Sequence, residues 1–212
     1  KSLDAIRKAV VLDPENPWYS VFEGEILEQM GRYKEAAEVF TKLTKRLPND
    51  PDFLEKNAYL QLLAGDPSAA LKTLDRLEKL VGVTENASRQ KHSIYANMGD
   101  TKKASAVLEK LVRENPDEPQ YQHQLAQYLE RIGENARAKA IYQQILDKNP
   151  DDAIAKLALV ETGGGSELAR LEALKPLFAD GKQPIDPKIK ELLAYLPQID
   201  AGTDRPLIEA AL

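Results

Sequence analysis

The sequence contains no cysteine. That excludes a disulfide framework, a thiolate metal site and a cysteine nucleophile, and it leaves the redox compartment open. Only two histidines are present, His92 and His123, too few for a histidine-rich metal centre. An excess of positive charge is also missing. Lysine and arginine total 29 against 34 aspartates and glutamates, a net charge of −5. A phosphate backbone needs a basic stripe, so nucleic acid is not an expected partner. No apolar run approaches about 18 residues, so no membrane-spanning segment is expected. No secretory signal segment is evident either. The opening KSLDAIRKAV reads as the interior of a helix, and the chain is expected to be cut from something longer.

What is present is ordinary for a folded chain. The 212 residues are 42% hydrophobic and 30% charged, which argues against wholesale disorder and for one or two globular units. The informative feature is a repeat. Glycines fall at Gly31, Gly65, Gly99 and Gly133, each 34 residues after the last. Ala36, Ala70, Ala104 and Ala138 keep the same step, as do Phe40, Leu74, Leu108 and Tyr142, and then Leu43, Leu77, Leu111 and Ile145. Pro48, Pro116 and Pro150 close three units, and Gly82 takes that slot in the other. Several columns sharing one period without an insertion are a poor match to chance.

Each unit reads as two helices. In the fourth, Tyr121, Leu125, Tyr128, Leu129 and Ile132 recur at steps of three and four, one face of a helix. Gly133 ends it, because glycine tolerates positive φ. Ala138, Ile141, Tyr142, Ile145 and Leu146 mark a second amphipathic helix, stopped before Pro150, since the residue before proline disfavours helical geometry. No segment alternates with period two for long enough to suggest a strand. Small residues at Gly24, Ala58 and Ala126, and in the alanine column, let helix backbones approach closely. One helical pair cannot bury its apolar face alone, so neighbouring pairs must stack.

The period, the helix-turn-helix unit and the order of Gly/Ala, Gly, Ala, bulky apolar residue and Pro resemble the tetratricopeptide repeat (TPR) family over residues 17–150. The resemblance implies an all-α fold, a right-handed α-α superhelix of stacked antiparallel helix pairs. On this reading 1–212 is a single solenoid. Residues 1–16 are a partial repeat with only its second helix, and 17–50, 51–84, 85–118 and 119–152 are full repeats. Residues 153–212 are divergent helical repeats cut short at the end. Departures are local. Ser20, Leu54, Ser88 and Gln122 occupy the early aromatic slot of the first helix, while Trp18, Phe53 and Tyr121 sit one or two places earlier. His92 replaces a usually small residue, so the third unit is expected to pack more loosely or tilt. In the last section, Gly163, Gly164 and Gly165 are expected to cut short a helix begun at Ala153. Further helices are expected at Ser166–Phe178 and Pro187–Leu196, and another beginning at Pro206. The ending LKPLFADGKQPIDPKIKELLAYLPQ is similar to tail segments of large bacterial envelope TPR proteins. That likeness bears on localisation alone, and leaves periplasm or cell envelope and cytoplasm both open.

Catalysis needs converging groups with tuned pKa values, and none is apparent. There is no G-x-S-x-G elbow and no H-E-x-x-H. Gly163–Gly165 before Ser166 is a linker, because no strand precedes it and no Lys-Ser/Thr follows in register. A two-ligand metal site between His92 and His123 is a weaker reading than one histidine filling a core slot and the other lining a surface. Asp13-Pro14-Glu15-Asn16 and Asn49-Asp50-Pro51-Asp52 read as turn and cap chemistry, not calcium loops. No catalytic residue, metal ligand or cofactor is expected, and an enzyme is not the expected function.

In the TPR family the first helices of successive units line the concave face, where most ligands sit. Helical spacing groups the residues of that face. The first unit contributes Val21, Glu25 and Glu28, with Trp18 and Phe22. The second contributes Glu55, Tyr59 and Leu62. The third contributes Arg89, Ser93 and Asn97, flanked by Asn86 and Gln90. The fourth contributes His123, Gln127 and Arg131, beside Gln120 and Gln124. Arg89 and Arg131 are suited to fork onto carboxylates, and the amide side chains to pair with a peptide backbone. One TPR class clamps the carboxyl end of chaperones with paired Lys and Asn on these helices. Here Val21, Glu25, Glu55 and Tyr59 stand on the corresponding face, and carboxylates there repel a carboxylate, so no chaperone clamp is expected. The leading expectation is a scaffold binding a protein or extended peptide in its groove. The alternatives are a regulatory or targeting domain of a larger enzyme, and a structural subunit of a bacterial envelope assembly that self-associates through its solenoid ends.

Overall fold

A computed structural model describes residues 2–164 together with Ala169 and Ala173. The helices expected at 166–178, at 187–196 and from 206 lie outside these residues, apart from those two alanines. Ten helices follow one another among the described residues: α1 (Ser2–Leu12), α2 (Pro17–Gln29), α3 (Tyr33–Arg46), α4 (Pro51–Leu63), α5 (Pro67–Val81), α6 (Glu85–Asn97), α7 (Thr101–Glu114), α8 (Pro119–Arg131), α9 (Asn135–Lys148) and α10 (Ala153–Thr162). The fold is all-α, and the pairs α2–α3, α4–α5, α6–α7 and α8–α9 each occupy one 34-residue unit.

The helix boundaries follow from local chemistry. Proline opens α2, α4, α5 and α8, where the missing N–H has no partner to lose. Asp50 accepts from the Phe53 amide at 3.1 Å, Asp66 from Ala69 at 2.9 Å, Asp100 from Lys103 at 3.0 Å and Asp152 from Ala155 at 2.9 Å. Asn16 accepts from Trp18 at 3.1 Å. Each satisfies an amide that the helix leaves unpaired. The glycine column supplies the tight turns between paired helices, with φ +71° at Gly31. Gly82 explains the missing proline of the second unit: at φ +83° it ends α5, donating to the Glu78 carbonyl at 2.9 Å.

The chain divides into two compact units, Lys1–Glu114 and Asn115–Leu212. In the first, one core cluster gathers Leu3, Val21, Leu27, Ala36, Ala37, Phe40, Leu43 and Leu60. A second gathers Leu54, Ala58, Ala70, Leu74, Leu77, Ala87 and Ile94. In the second unit Tyr121, Leu125, Ala126, Tyr128, Leu129, Ala138, Tyr142, Ile145 and Ala155 are buried. Burying a Leu or Phe side chain contributes roughly 1.5–3 kcal/mol, so stacking gives each pair what it lacks alone.

Polar side chains also cross between neighbouring pairs of the first unit, and they do so in register. Arg7 Nε of α1 donates to Glu23 of α2 at 2.8 Å. Thr41 of α3 donates to Asn57 of α4 at 3.2 Å. Lys91 of α6 lies 2.6 Å from Asp75 and 2.8 Å from Glu78 of α5. Arg7, Thr41 and Asp75 are 34 residues apart, and so are Glu23, Asn57 and Lys91. One structural slot thus carries three different chemistries, each matched only to its own neighbour.

Candidate functional site

The first helices of the N-terminal unit are α2, α4 and α6. Trp18, Phe22 and Glu25 stand on one stripe of α2, at four- and three-residue steps, and all three are exposed. Trp18 is 59% and Phe22 51% exposed, unusually open for large aromatic residues. Val21, expected on this face, is turned into the core instead. On α4 the stripe is Asp52, Glu55, Tyr59 and Leu62, with Tyr59 43% exposed. Two polar contacts lace the stripes together. Lys56 of α4 reaches Glu28 of α2 at 2.7 Å, with its ammonium 5.6 Å from the centre of the Tyr59 ring. Asn86 of α6 donates to Glu55 of α4. The exposed face of α6 is polar. Ser93 and Asn97 are open, Arg89 pairs loosely with Glu85 at 3.7 Å, and Gln90 is half-buried, its Oε1 without a hydrogen-bond donor among the described residues.

In the C-terminal unit Gln120, Gln124, Gln127 and Arg131 of α8 are exposed. The Arg131 guanidinium sits 5.1 Å from the centre of the Tyr128 ring, which leaves its edge open to an acceptor. His123, expected on this face, is not exposed there. It is buried, with Nε2 3.0 Å from Asp152 and its ring 6.4 Å from that of Tyr142. Asp152 caps α10, 29 residues on, and draws the imidazole inward. No local periodicity carries that signal. His92 is tied by Nδ1–H to the carbonyl of Ala104 at 3.1 Å, so the large residue in a small-residue slot bonds directly to the facing helix.

Two cavities open beside these helices. One of about 220 Å³ is lined by Ser88, Lys91, Tyr95, Lys103 and Lys110, with Glu78 at its wall. A serine near a lysine invites a nucleophile–base reading, but the charges oppose it. Burial lowers the Lys91 pKa, and its hydrogen bonds to Asp75 and Glu78 raise it by more, so the ammonium keeps its proton. The other, about 550 Å³, lies between α3, α4 and α5. It is lined by Lys34, Thr41, Lys42, Gln61 and Asp66. Its floor is already committed: Gln61 accepts from Thr73 at 2.8 Å and donates to Thr41 at 3.4 Å. Tyr142 is pushed up by burial and by Glu130, to which it donates at 3.1 Å, so it holds its proton too. Among the described residues, no group of three His, Cys, Asp or Glu is placed to hold a metal ion.

The Asp75–Glu78–Lys91–Lys110 cluster and the network of Thr41, Thr44, Asn57, Gln61 and Thr73 escaped the sequence reading. A signal existed. The 34-residue step that picks out the apolar columns also runs through Glu23, Asn57 and Lys91, polar residues in a core-facing slot.

Helix pairs at a 34-residue step, closed by Gly and Pro and presenting their first helices, define a tetratricopeptide-repeat protein. Residues 27–81 match the tetratricopeptide repeat family model. Residues 56–172, over half of the chain, match the model described as N-terminal acetyltransferase A, auxiliary subunit, and the chain belongs to that family. No curated protein sequence matches it. Among solved structures it is similar to MamA (TM-score 0.52, 20% identity, 77% of this chain and 89% of that one). It is also similar to YrrB, a TPR protein with an unusual peptide-binding site (0.51, 14%, 82% and 91%). A third likeness is to Naa15/Naa10 bound to HypK-THB (0.56, 15%), covering 98% of this chain but 36% of that one. At such identities these likenesses show the fold. No helix among the described residues is long and apolar enough to cross a membrane.

Proposed function

We propose that the chain is a non-enzymatic scaffold that binds a protein segment or extended peptide on the exposed faces of its first helices. The observation that carries this is the open face of α2 and α4, where Trp18, Phe22 and Tyr59 stand in solvent. Aromatic residues held on rigid helices are what binding hot spots use, and here packing leaves them uncovered. In the N-terminal unit the proposed contacts are Trp18, Glu25, Glu55, Tyr59, Arg89, Gln90, Ser93 and Asn97. In the C-terminal unit they are Gln124, Gln127 and Arg131. His123 supports its unit from inside. The test is a photo-crosslinking amino acid placed at Tyr59, at Gln127 and, for comparison, at Lys72 on α5. Partner adducts are expected from the first two positions. Adducts from Lys72 alone would move the site to the second helices.

A second reading has specific support. The family match and the likeness to Naa15/Naa10 favour an auxiliary role beside a separate catalytic subunit. Co-purification of an acetyltransferase subunit with the native protein is expected on that reading. Its absence from a complex that otherwise survives purification would remove it. Self-association through repeat ends is a separate proposal, and a concentration-independent monomer in light scattering counts against it.

A further inference from the structure

The face of α2 and α4 has a charge as well as an apolar character. Resting on the scaffold reading above, we infer that it takes a cationic amphipathic segment of a partner protein, with apolar side chains seated on Trp18, Phe22, Tyr59 and Leu62 and Lys or Arg beside them.

α2 carries Glu23, Glu25 and Glu28 and no basic residue. Arg7 neutralises Glu23 and Lys56 neutralises Glu28. Among the described residues, Glu25 and Asp52 are exposed without a cation, and Glu55 accepts only from the neutral amide of Asn86. Lys56, the basic residue of α4, is already committed to Glu28 and the Tyr59 ring. Three uncompensated carboxylates therefore flank the exposed aromatic residues. The apolar patch and the negative charge coincide on these two helices. Further along, α6 exposes Arg89 with Ser93 and Asn97, a different surface.

The size fits. From Asp52 to Leu62 the α4 stripe covers ten helical steps, about 15 Å. Two helices packed about 10 Å apart double its width. A helix laid in a groove reads such a patch with anchors at i, i+3, i+4 and i+7. An acidic rim selects lysine and arginine at its edges, and it repels acidic segments and anionic membranes.

The experiment is fluorescence anisotropy on the full chain. The probe is a labelled synthetic peptide of about 14 Leu, Ala and Lys residues, about 21 Å long as a helix, with the lysines along one face. Two companions replace every Lys by Glu or by Gln. The cationic peptide is expected to bind at least about tenfold more tightly than either, with affinity falling as salt rises and the Debye length shrinks below about 10 Å. Trp18→Ser with Tyr59→Ser should weaken it about tenfold or more. Glu25→Gln with Glu55→Gln should weaken it severalfold and flatten the salt dependence. Glu38→Gln with Glu114→Gln, acidic positions off this face, should change it less than about twofold. Circular dichroism checks that each variant is folded. If the Gln peptide binds as tightly as the Lys peptide, and is still lost in the Trp18/Tyr59 variant, the cationic inference fails and the scaffold reading stands. If the Lys peptide binds but ignores all four face substitutions, the face itself is wrong and both fail. No binding of the Lys peptide overturns the inference. So does concentration-dependent dimerisation abolished by Trp18→Ser, which would make a second copy the occupant.

Discussion

Gly24 faces the ring of Phe40 so closely that a Cβ there would lie 2.5 Å from one ring carbon and 2.8 Å from the next. The ring has little freedom to retreat, since Phe40 is 2% exposed and meets Phe53 edge-on at 6.4 Å. Gly24→Ala is therefore expected to cost about 1–3 kcal/mol by overpacking. Urea denaturation checks it, and Phe40→Leu added to Gly24→Ala should recover much of the loss. An unchanged midpoint in the single variant would refute the clash. At this scale the sequence was a good guide where size mattered. Ala36, Ala70, Ala104 and Ala138, recognised as close-approach positions from their spacing, are each 0% exposed. It was a poor guide where a side chain's partner on another helix mattered. Val21 and His123 share a helical stripe with exposed residues, yet apolar packing takes the first inward and Asp152 the second. His92, a mismatch by size, finds an acceptor in the Ala104 carbonyl.

At the scale of the helix, boundaries came from residues within four positions of each end, so they could be read directly. The contacts between helices could not. Glu78 of α5 shows why. Burial pushes its carboxyl up, while hydrogen bonds from Lys110 and Lys91 pull it down further, leaving it below the ordinary value of 4.5. A carboxyl depressed by folding adds stability above its unfolded value, and loses it as the pH falls through the lower folded one. Wild-type stability should therefore drop as the pH is lowered below about 4.5, and Glu78→Gln should drop less steeply over that range. Urea melts between about pH 3 and 7 measure both slopes. Parallel slopes would mean that Glu78 takes no part. Lys91 is the reciprocal partner, and it and Glu23 and Asn57 occupy one repeated slot with three different partners. Such matched pairs disfavour a helix pair meeting the wrong neighbour, because a mismatched charge would be left buried and alone.

Across the whole molecule, contacts within each compact unit run mainly between consecutive helices, so a local injury should stay local. Leu74 is fully buried in the second core cluster. Leu74→Ala should cost about 2–5 kcal/mol. Hydrogen exchange should then lose most protection in α4–α6 and little in α8–α9, and a uniform loss across all helices would contradict the repeat picture. Within the described residues, the paired helices of each 34-residue unit, their ends and the all-α class were written in the chain. Period, capping and proline or glycine stops act within one 34-residue unit, and a short range of influence is one that spacing records. Which surface residues stay available was settled by packing. Glu55 meets Asn86 across 31 positions and His123 meets Asp152 across 29, while among the described residues Trp18, Phe22 and Tyr59 keep about half of their surface exposed. Those distances along the chain close only when the helix pairs stack, because hydrogen bonds and ion pairs reach a few ångströms and spacing alone does not say who arrives there.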